Sequence, residues 1–213
     1  MGKWLLSLAF VAALVPLDRS ASAAPIVYEQ LVGTSGNRVS SPLDYFGVAP
    51  GYQSADDFVL AADTVVTDVH WWGTSNAGGD DFVFTLYADD SGVPGGMLAT
   101  TGGTLSKTPV DAFLTYYSSD LATPFTALAG NKYWLSIFNQ SADASWAWQV
   151  AAVLGDGSKQ RSIINPAWNL NFGDLAFQLS GDANANAVPE PATLMLVGTG
   201  LAAAWRQRRR RTQ

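Results

Sequence analysis

Apolar residues return at every second position of this chain, in short bursts, and that spacing constrains its fold more than any other feature. In "DFVFTLYAD", Phe82, Phe84 and Leu86 fall on one side of an extended segment while Val83, Thr85 and Tyr87 fall on the other. In "KYWLSIFN", Tyr133, Leu135 and Ile137 oppose Trp134, Ser136 and Phe138. The stretches "TVVTDVHWWG", "AFLTYYSSD", "ASWAWQV" and "DLAFQLS" behave in the same way. Successive side chains of a strand point to opposite faces, so a period of two with β-branched and aromatic content predicts strands. Turn-forming clusters separate the bursts: "SNAGGDD", "DDSGVPGG", "LAGNK", "LGDGSK" and "NLNFGD". No segment of the middle of the chain sustains a helical period. About eight to ten strands in roughly 150 residues, without a strand–helix–strand rhythm, predict an all-β fold. The expected architecture is an antiparallel jelly-roll-like β-sandwich, with a closed barrel as the alternative.

Both ends of the chain read differently from this middle. Lys3, the apolar stretch Trp4 to Leu17 and the small residues Ala21, Ser22 and Ala23 have the order of a secretory signal helix. Cleavage is expected between Ala23 and Ala24, because a cut one residue later would leave Pro25 directly after the scissile bond. A short N-terminal anchor or a buried helix is the plainer reading of the same stretch. The expected division is therefore a signal peptide at 1–23, a β-sandwich domain at 24–181, a small polar linker at 182–188 and a separate tail at 189–213. Cysteine is absent, which excludes disulfides, thiolate metal sites and cysteine nucleophiles. The core must hold the fold unaided.

Charge is segregated along the chain. Between Ala24 and Val188 there are sixteen acidic and five basic residues, a net of 5 − 16 = −11. Such a body repels the phosphates of nucleic acid, which is excluded as a partner. Beyond Val188 one acid, Glu190, faces five arginines, Arg206, Arg208, Arg209, Arg210 and Arg211. A basic cluster beside an apolar run suits a membrane face.

Candidate site residues are few. Paired aspartates precede apolar residues at Asp56-Asp57 and Asp80-Asp81, and a third pair, Asp89-Asp90, opens a turn. Hard oxygen ligands of this kind suit calcium if loops bring them together, although none follows a spaced calcium loop. The plainer reading is a polar strand start, and no other cofactor is implied. Trp71, Trp72 and Trp168 are candidates for stacking on sugar rings, with Tyr116 and Tyr117 beside them. One of Trp71 and Trp72 must face inward, and Trp146 and Trp148 share a face, expected to be the core. His70 is the single histidine. No nucleophile elbow, zinc-protease motif, P-loop or dinucleotide fingerprint is present, so an enzyme is not expected. The least favoured reading is a polysaccharide-active enzyme using two aspartates.

The tail begins with Pro189, Glu190 and Pro191, continues with "ATLMLVGTGLAAAW" over residues 192–205 and ends in "RQRRRR". Its 14-residue apolar run would span about 21 Å as a helix against roughly 30 Å of hydrocarbon. It suits a short transmembrane hook whose basic end stays cytoplasmic, with a loose amphipathic helix as the plainer alternative. The order of triplet, apolar run and arginine cluster closely resembles the PEP-CTERM sorting signal. That resemblance implies recognition by an exosortase, a membrane protease-transpeptidase, with Pro189, Glu190 and Pro191 as substrate residues. It also implies processing during export, transient residence in the inner membrane, and delivery to the surface or exopolysaccharide matrix of a Gram-negative bacterium. Signal peptidase would act at the other end. The stretches "SADDFVLAADTVVTDVHWWG", "FTLYADDSGVPGG" and "YWLSIFN" resemble, more loosely, a β-sandwich module of such exported proteins. The function expected is a non-enzymatic surface or matrix protein, with a carbohydrate-binding module as the alternative.

Overall fold

The structure is a computed structural model that describes residues 24–42, 51–75, 79–141, 145–162, 164–171 and 173–183. The expected signal helix, cleavage site residue Ala23 and C-terminal tail lie outside the described residues. The alternating bursts become strands, more numerous than expected. The first half of the domain holds β1 (Ile26–Gln30), β2 (Arg38–Ser40), β3 (Tyr52–Val59), β4 (Thr64–Gly73), β5 (Phe82–Asp89), β6 (Pro94–Thr101) and β7 (Gly103–Pro109). The second half holds β8 (Thr115–Ala127), β9 (Lys132–Asn139), β10 (Ala147–Gln149), β11 (Lys159–Ser162), β12 (Asn169–Leu170) and β13 (Phe177–Ala183). Among the described residues there is no helix.

Two sheets form. The seven-stranded sheet runs β7–β8–β4–β13–β1, and β10 pairs with the Gly73 end of β4 and carries β2 beside it. The six-stranded sheet runs β12–β11–β3–β9–β5–β6. All named strand pairs are antiparallel. The sheets share one hydrophobic core, to which β3, β5 and β9 send Phe58, Phe84, Leu135 and Ile137 from one side. From the other side β4, β8 and β13 send Val66, Val69, Trp71, Tyr117, Phe177 and Leu179.

The aromatic contacts cross from layer to layer. Trp71 stacks on Tyr117 in its own sheet at 5.3 Å and meets Phe84 of the facing sheet edge-on at 5.2 Å. Phe58 likewise meets Phe177 edge-on at 6.3 Å. Each such side chain contributes about 1.5–3 kcal/mol by leaving water, with edge-to-face geometry adding to it.

Two local features shape the end and the outer face of β4. The register of β4 against β8 shifts between Val66 and Asp68. Against β13, Val66 and Asp68 face the consecutive residues Gly181 and Ser180, so Thr67 is an extra, unpaired residue, and Val66 and Val69, three apart, both reach the core. Beyond the bulge, Trp71 points inward and His70 and Trp72 outward. At the end of β4, a Cβ on Gly73 would lie 2.5 Å from the Trp146 indole nitrogen. Close approach of that ring therefore requires glycine there. The last strand also runs further than expected. Asp182 and Ala183, expected in the linker, pair with Val65 and Thr64, because backbone hydrogen bonding continues past residue 181.

Candidate binding faces of the two sheets

The outer face of the six-stranded sheet is built from alternate residues of β11, β3, β9 and β5. Lys159 and Arg161 of β11 lie opposite Ala55 and Gln53 of β3. Ala55 lies opposite Ser136 and Asp57 opposite Trp134 of β9, and Trp134 lies opposite Tyr87 of β5. Trp134, although on the side away from the main core, is fully buried in a second cluster with Ala55, Tyr87 and the half-buried Trp168. Its indole nitrogen donates to Asp89 Oδ1 at 2.8 Å. The ammonium groups of Lys132 and Lys159 lie 5.7 and 5.3 Å from its ring centroid, a cation–π arrangement strengthened by burial.

Each cation on this face is held differently. Lys132 bridges Asp57 and Asp156. The hydrogen bond to Asp57 and the nearby Asp156 keep its ammonium charged well beyond the usual lysine range. Lys159 is buried and donates to the Gly157 carbonyl at 3.1 Å. Arg161 gives Nε and Nη2 to Gln53 Oε1 at 3.0 and 2.7 Å. The Gln53 amide nitrogen in turn donates to the Tyr87 hydroxyl and to Ser136 Oγ at 3.2 and 3.1 Å. The Arg161 guanidinium lies 4.4 Å from the Trp168 ring centroid, and Trp168 meets Tyr87 edge-on at 5.8 Å. The chain after β11 thus folds back over its own sheet.

The outer face of the seven-stranded sheet is polar and more open. A hydrogen bond joins the Tyr116 hydroxyl to His70 Nδ1 at 2.8 Å, and another joins His70 Nε2 to Ser180 Oγ at 2.9 Å. Burial pushes the His70 pKa down, against the pull of Asp68 and Asp120. Trp72 and Tyr116 are half-buried and lie 5.2 Å apart. Asp68 and Asp120 face each other across β4 and β8. Their shared hydrogen bond, with a smaller contribution from burial, pushes the Asp120 carboxyl above the usual carboxylate range.

The aspartates considered for calcium are dispersed among other partners. Asp56 and Asp57 take opposite faces of β3. Asp56 turns to the core, is fully buried, and accepts from the Leu175 amide at 2.6 Å. The Gln30 amide, oriented so that its nitrogen donates to Asp56 Oδ2 at 2.8 Å, is a second donor. Oδ1 has no partner among the described residues, and burial pushes this carboxyl well above its ordinary range. Asp80 accepts from Lys107 at 2.8 Å and from Asn139 at 3.1 Å. Asp89 serves Trp134 and the Gly92 amide. Asp81 and Asp90 are exposed. Among the described residues, no three acidic or histidine side chains converge as a metal site.

Of the tryptophans considered for sugar stacking, Trp71 is fully buried and offers no ring face to solvent, as are Trp146 and Trp148. Trp72 and Trp168 keep partial exposure. A depression of about 270 Å³ is lined by Gly33, Thr34, Ser35, Asn37, Ala151, Ala152 and Leu154, none of them titratable. Sequence reasoning singled out Trp168 but missed Arg161 and Gln53 beside it. The available signal was the alternation in "SKQRS", which puts Lys159 and Arg161 on one face of a strand within an acidic body.

Behind this all-β domain, the family model for the PEP-CTERM protein-sorting motif matches residues 187–210. The chain carries that sorting motif, and the match supports a PEP-CTERM protein. The motif implies exosortase processing and export through the membrane to the cell surface. No curated protein matches the chain.

Proposed function

We propose that this chain is a non-enzymatic surface or matrix protein of a Gram-negative bacterium, associated with exopolysaccharide or biofilm. The observation that carries the reading is the sorting motif at residues 187–210 behind a two-sheet domain with its own core. In this reading the domain is a jelly-roll-like cargo, and the tail is an address. Signal peptidase cuts between Ala23 and Ala24. The segment 192–205 holds the chain in the inner membrane with its arginines cytoplasmic, while exosortase acts at Pro189, Glu190 and Pro191. Mass spectrometry of the protein recovered from its host tests this. The expected mature chain starts at Ala24 and lacks the arginine cluster. An intact Arg206 to Gln213 in the surface pool would overturn the processing step.

A second reading makes the domain a carbohydrate-binding module. It is favoured by the half-buried Trp168 set among a guanidinium, an amide and a tyrosine hydroxyl, the mixture of flat apolar faces and fixed polar groups that sugars require. Calcium attaches only to this second reading, through loop aspartates such as Asp81 and Asp90. An enzyme acting on polysaccharide is the weakest proposal of the three.

A further inference from the structure

We propose that the outer face of the six-stranded sheet binds a carboxylated sugar, with Arg161 taking the carboxylate and Trp168 and Phe138 flanking the ring. The proposal rests on the carbohydrate-binding reading and names its ligand class.

Three observations carry it. The first is where the positive charge lies. The body between Ala24 and Val188 has five basic residues against sixteen acids, yet Lys132, Lys159 and Arg161 all lie on this one face, in register with β3 and β9. With Asp57, Asp89 and Asp156 on or beside the same face, the charges there balance, in a body that is otherwise strongly acidic.

The second observation is the state of Arg161. Lys132 is neutralised by two carboxylates, and the remaining described ion pair joins Lys107 to Asp80. Arg161 enters none of these. Its Nε and Nη2 are pinned by Gln53, its plane is fixed by Trp168, and Nη1 donates to no described residue. A half-buried guanidinium without a counter-ion among the described residues is costly, and its Nη1 edge is already oriented. The planar fork of arginine matches a carboxylate in two parallel hydrogen bonds. Lys159, buried two residues away without a carboxylate partner among the described residues, adds positive potential behind it.

The third observation is the chemistry of the rest of this face. Phe138 extends the outer row of β9 beyond Ser136, is half-buried, and pairs with Val83. The neighbouring polar groups are neutral: the Gln53 amide, the Tyr87 hydroxyl and Ser136 Oγ. Half-exposed rings with neutral hydrogen-bonding groups and a guanidinium that no described carboxylate pairs fit a sugar bearing one carboxylate per ring. They do not fit a densely charged phosphate polymer, which the acidic remainder of the domain would repel.

The test uses the mature chain purified from its host, titrated calorimetrically with polygalacturonate and alginate, with fully methyl-esterified polygalacturonate and with neutral dextran. The expected result is binding to the two uronate polymers, weakened at high salt, and at least about tenfold weaker binding of the esterified polymer. Arg161→Gln should lose that preference. Arg161→Lys should keep the fold and part of the affinity, which controls for a glutamine variant that fails to fold. Equal binding of free and esterified polymer, or a preference unchanged by both variants, overturns the carboxylate assignment and leaves carbohydrate binding standing. No binding to any of the four polymers overturns both.

Discussion

The two outer faces of the sandwich come from the same alternating pattern and handle charge in opposite ways. On the seven-stranded sheet, Asp68 and Asp120 face each other across β4 and β8 and share a hydrogen bond, and His70, Trp72 and Tyr116 remain half-buried. On the six-stranded sheet, Asp57, Asp89 and Asp156 each accept from a named donor. There the tryptophan at the centre is fully enclosed. One face is a solvated surface with its repulsions left in place. The other is a third packed layer in which nearly every polar group is positioned by a neighbour. Groups held rigidly by their neighbours are the ones that recognise ligands with precision, so the second face is the place to look for binding.

The largest expected effect tests whether that third layer is real. Trp134→Ala should cost about 3–5 kcal/mol of stability, the range for removing a large buried aromatic, even though Trp134 lies outside the main core. Trp72→Ala, half-exposed on the opposite face, should cost about 1 kcal/mol, reflecting partial burial and one aromatic contact. Urea unfolding midpoints for the two variants measure the difference. Equal losses would make the two faces alike and remove the contrast.

Lys132→Met comes next. It leaves Asp57, almost buried, without its cation while the methionine stem still covers Trp134. Breaking a buried pair from one side is strongly destabilising. Because the Lys132 side chain is 32% exposed, the loss is discounted for solvent screening to about 1–2 kcal/mol. Burial raises the Asp57 pKa, so the uncompensated carboxylate takes up a proton as pH falls. The penalty should therefore be full near neutrality and shrink toward about pH 4. A penalty that does not change with pH would mean the lysine acts through packing alone.

How these features read in the sequence depends on the range of the interactions behind them. The strands were legible because alternation is a property of neighbours: Phe82, Phe84 and Leu86 announce their shared face without help from the rest of the chain. That one of Trp71 and Trp72 must be inside was equally local, but which one depends on the bulge between Val66 and Asp68, set by pairing with β13. Asp56 illustrates a longer reach. It reads as the polar start of a strand, yet it faces the core because the Leu175 amide, 119 residues away, meets it there. Arg161 and Gln53 are separated by 108 residues, and no spacing rule links them. Lys159 and Arg161 did share a visible period of two, and that regularity, in a body so poor in cations, was the sequence's one pointer to the face.

The smallest expected effect tests the open face. Like charges directly opposed on neighbouring strands destabilise a sheet by a few tenths of a kcal/mol, and Asp120 is well exposed, so Asp120→Asn should stabilise only by about that much near neutral pH. The sign comes from linkage. The shared hydrogen bond with Asp68 raises the Asp120 pKa in the folded state, so the folded chain holds its proton more tightly than the unfolded one. That contribution is complete below the unfolded pKa, near about 4, and is lost as pH rises through the folded value. Asparagine cannot ionise and loses nothing. Melting temperatures of the two proteins should therefore coincide in acid and separate toward neutrality, with the variant higher. Asp56 and Asp174, whose pKa values burial also raises, give both proteins the same additional slope and cancel in the difference. His70 does not cancel, since Asp120 raises its pKa. In the variant its depression deepens, and the stability lost as pH falls below about 6.5 grows slightly. A variant that melts below the parent at neutral pH would show that Asp120 is held by a favourable contact, and the outer face of the seven-stranded sheet would then be as organised as its counterpart.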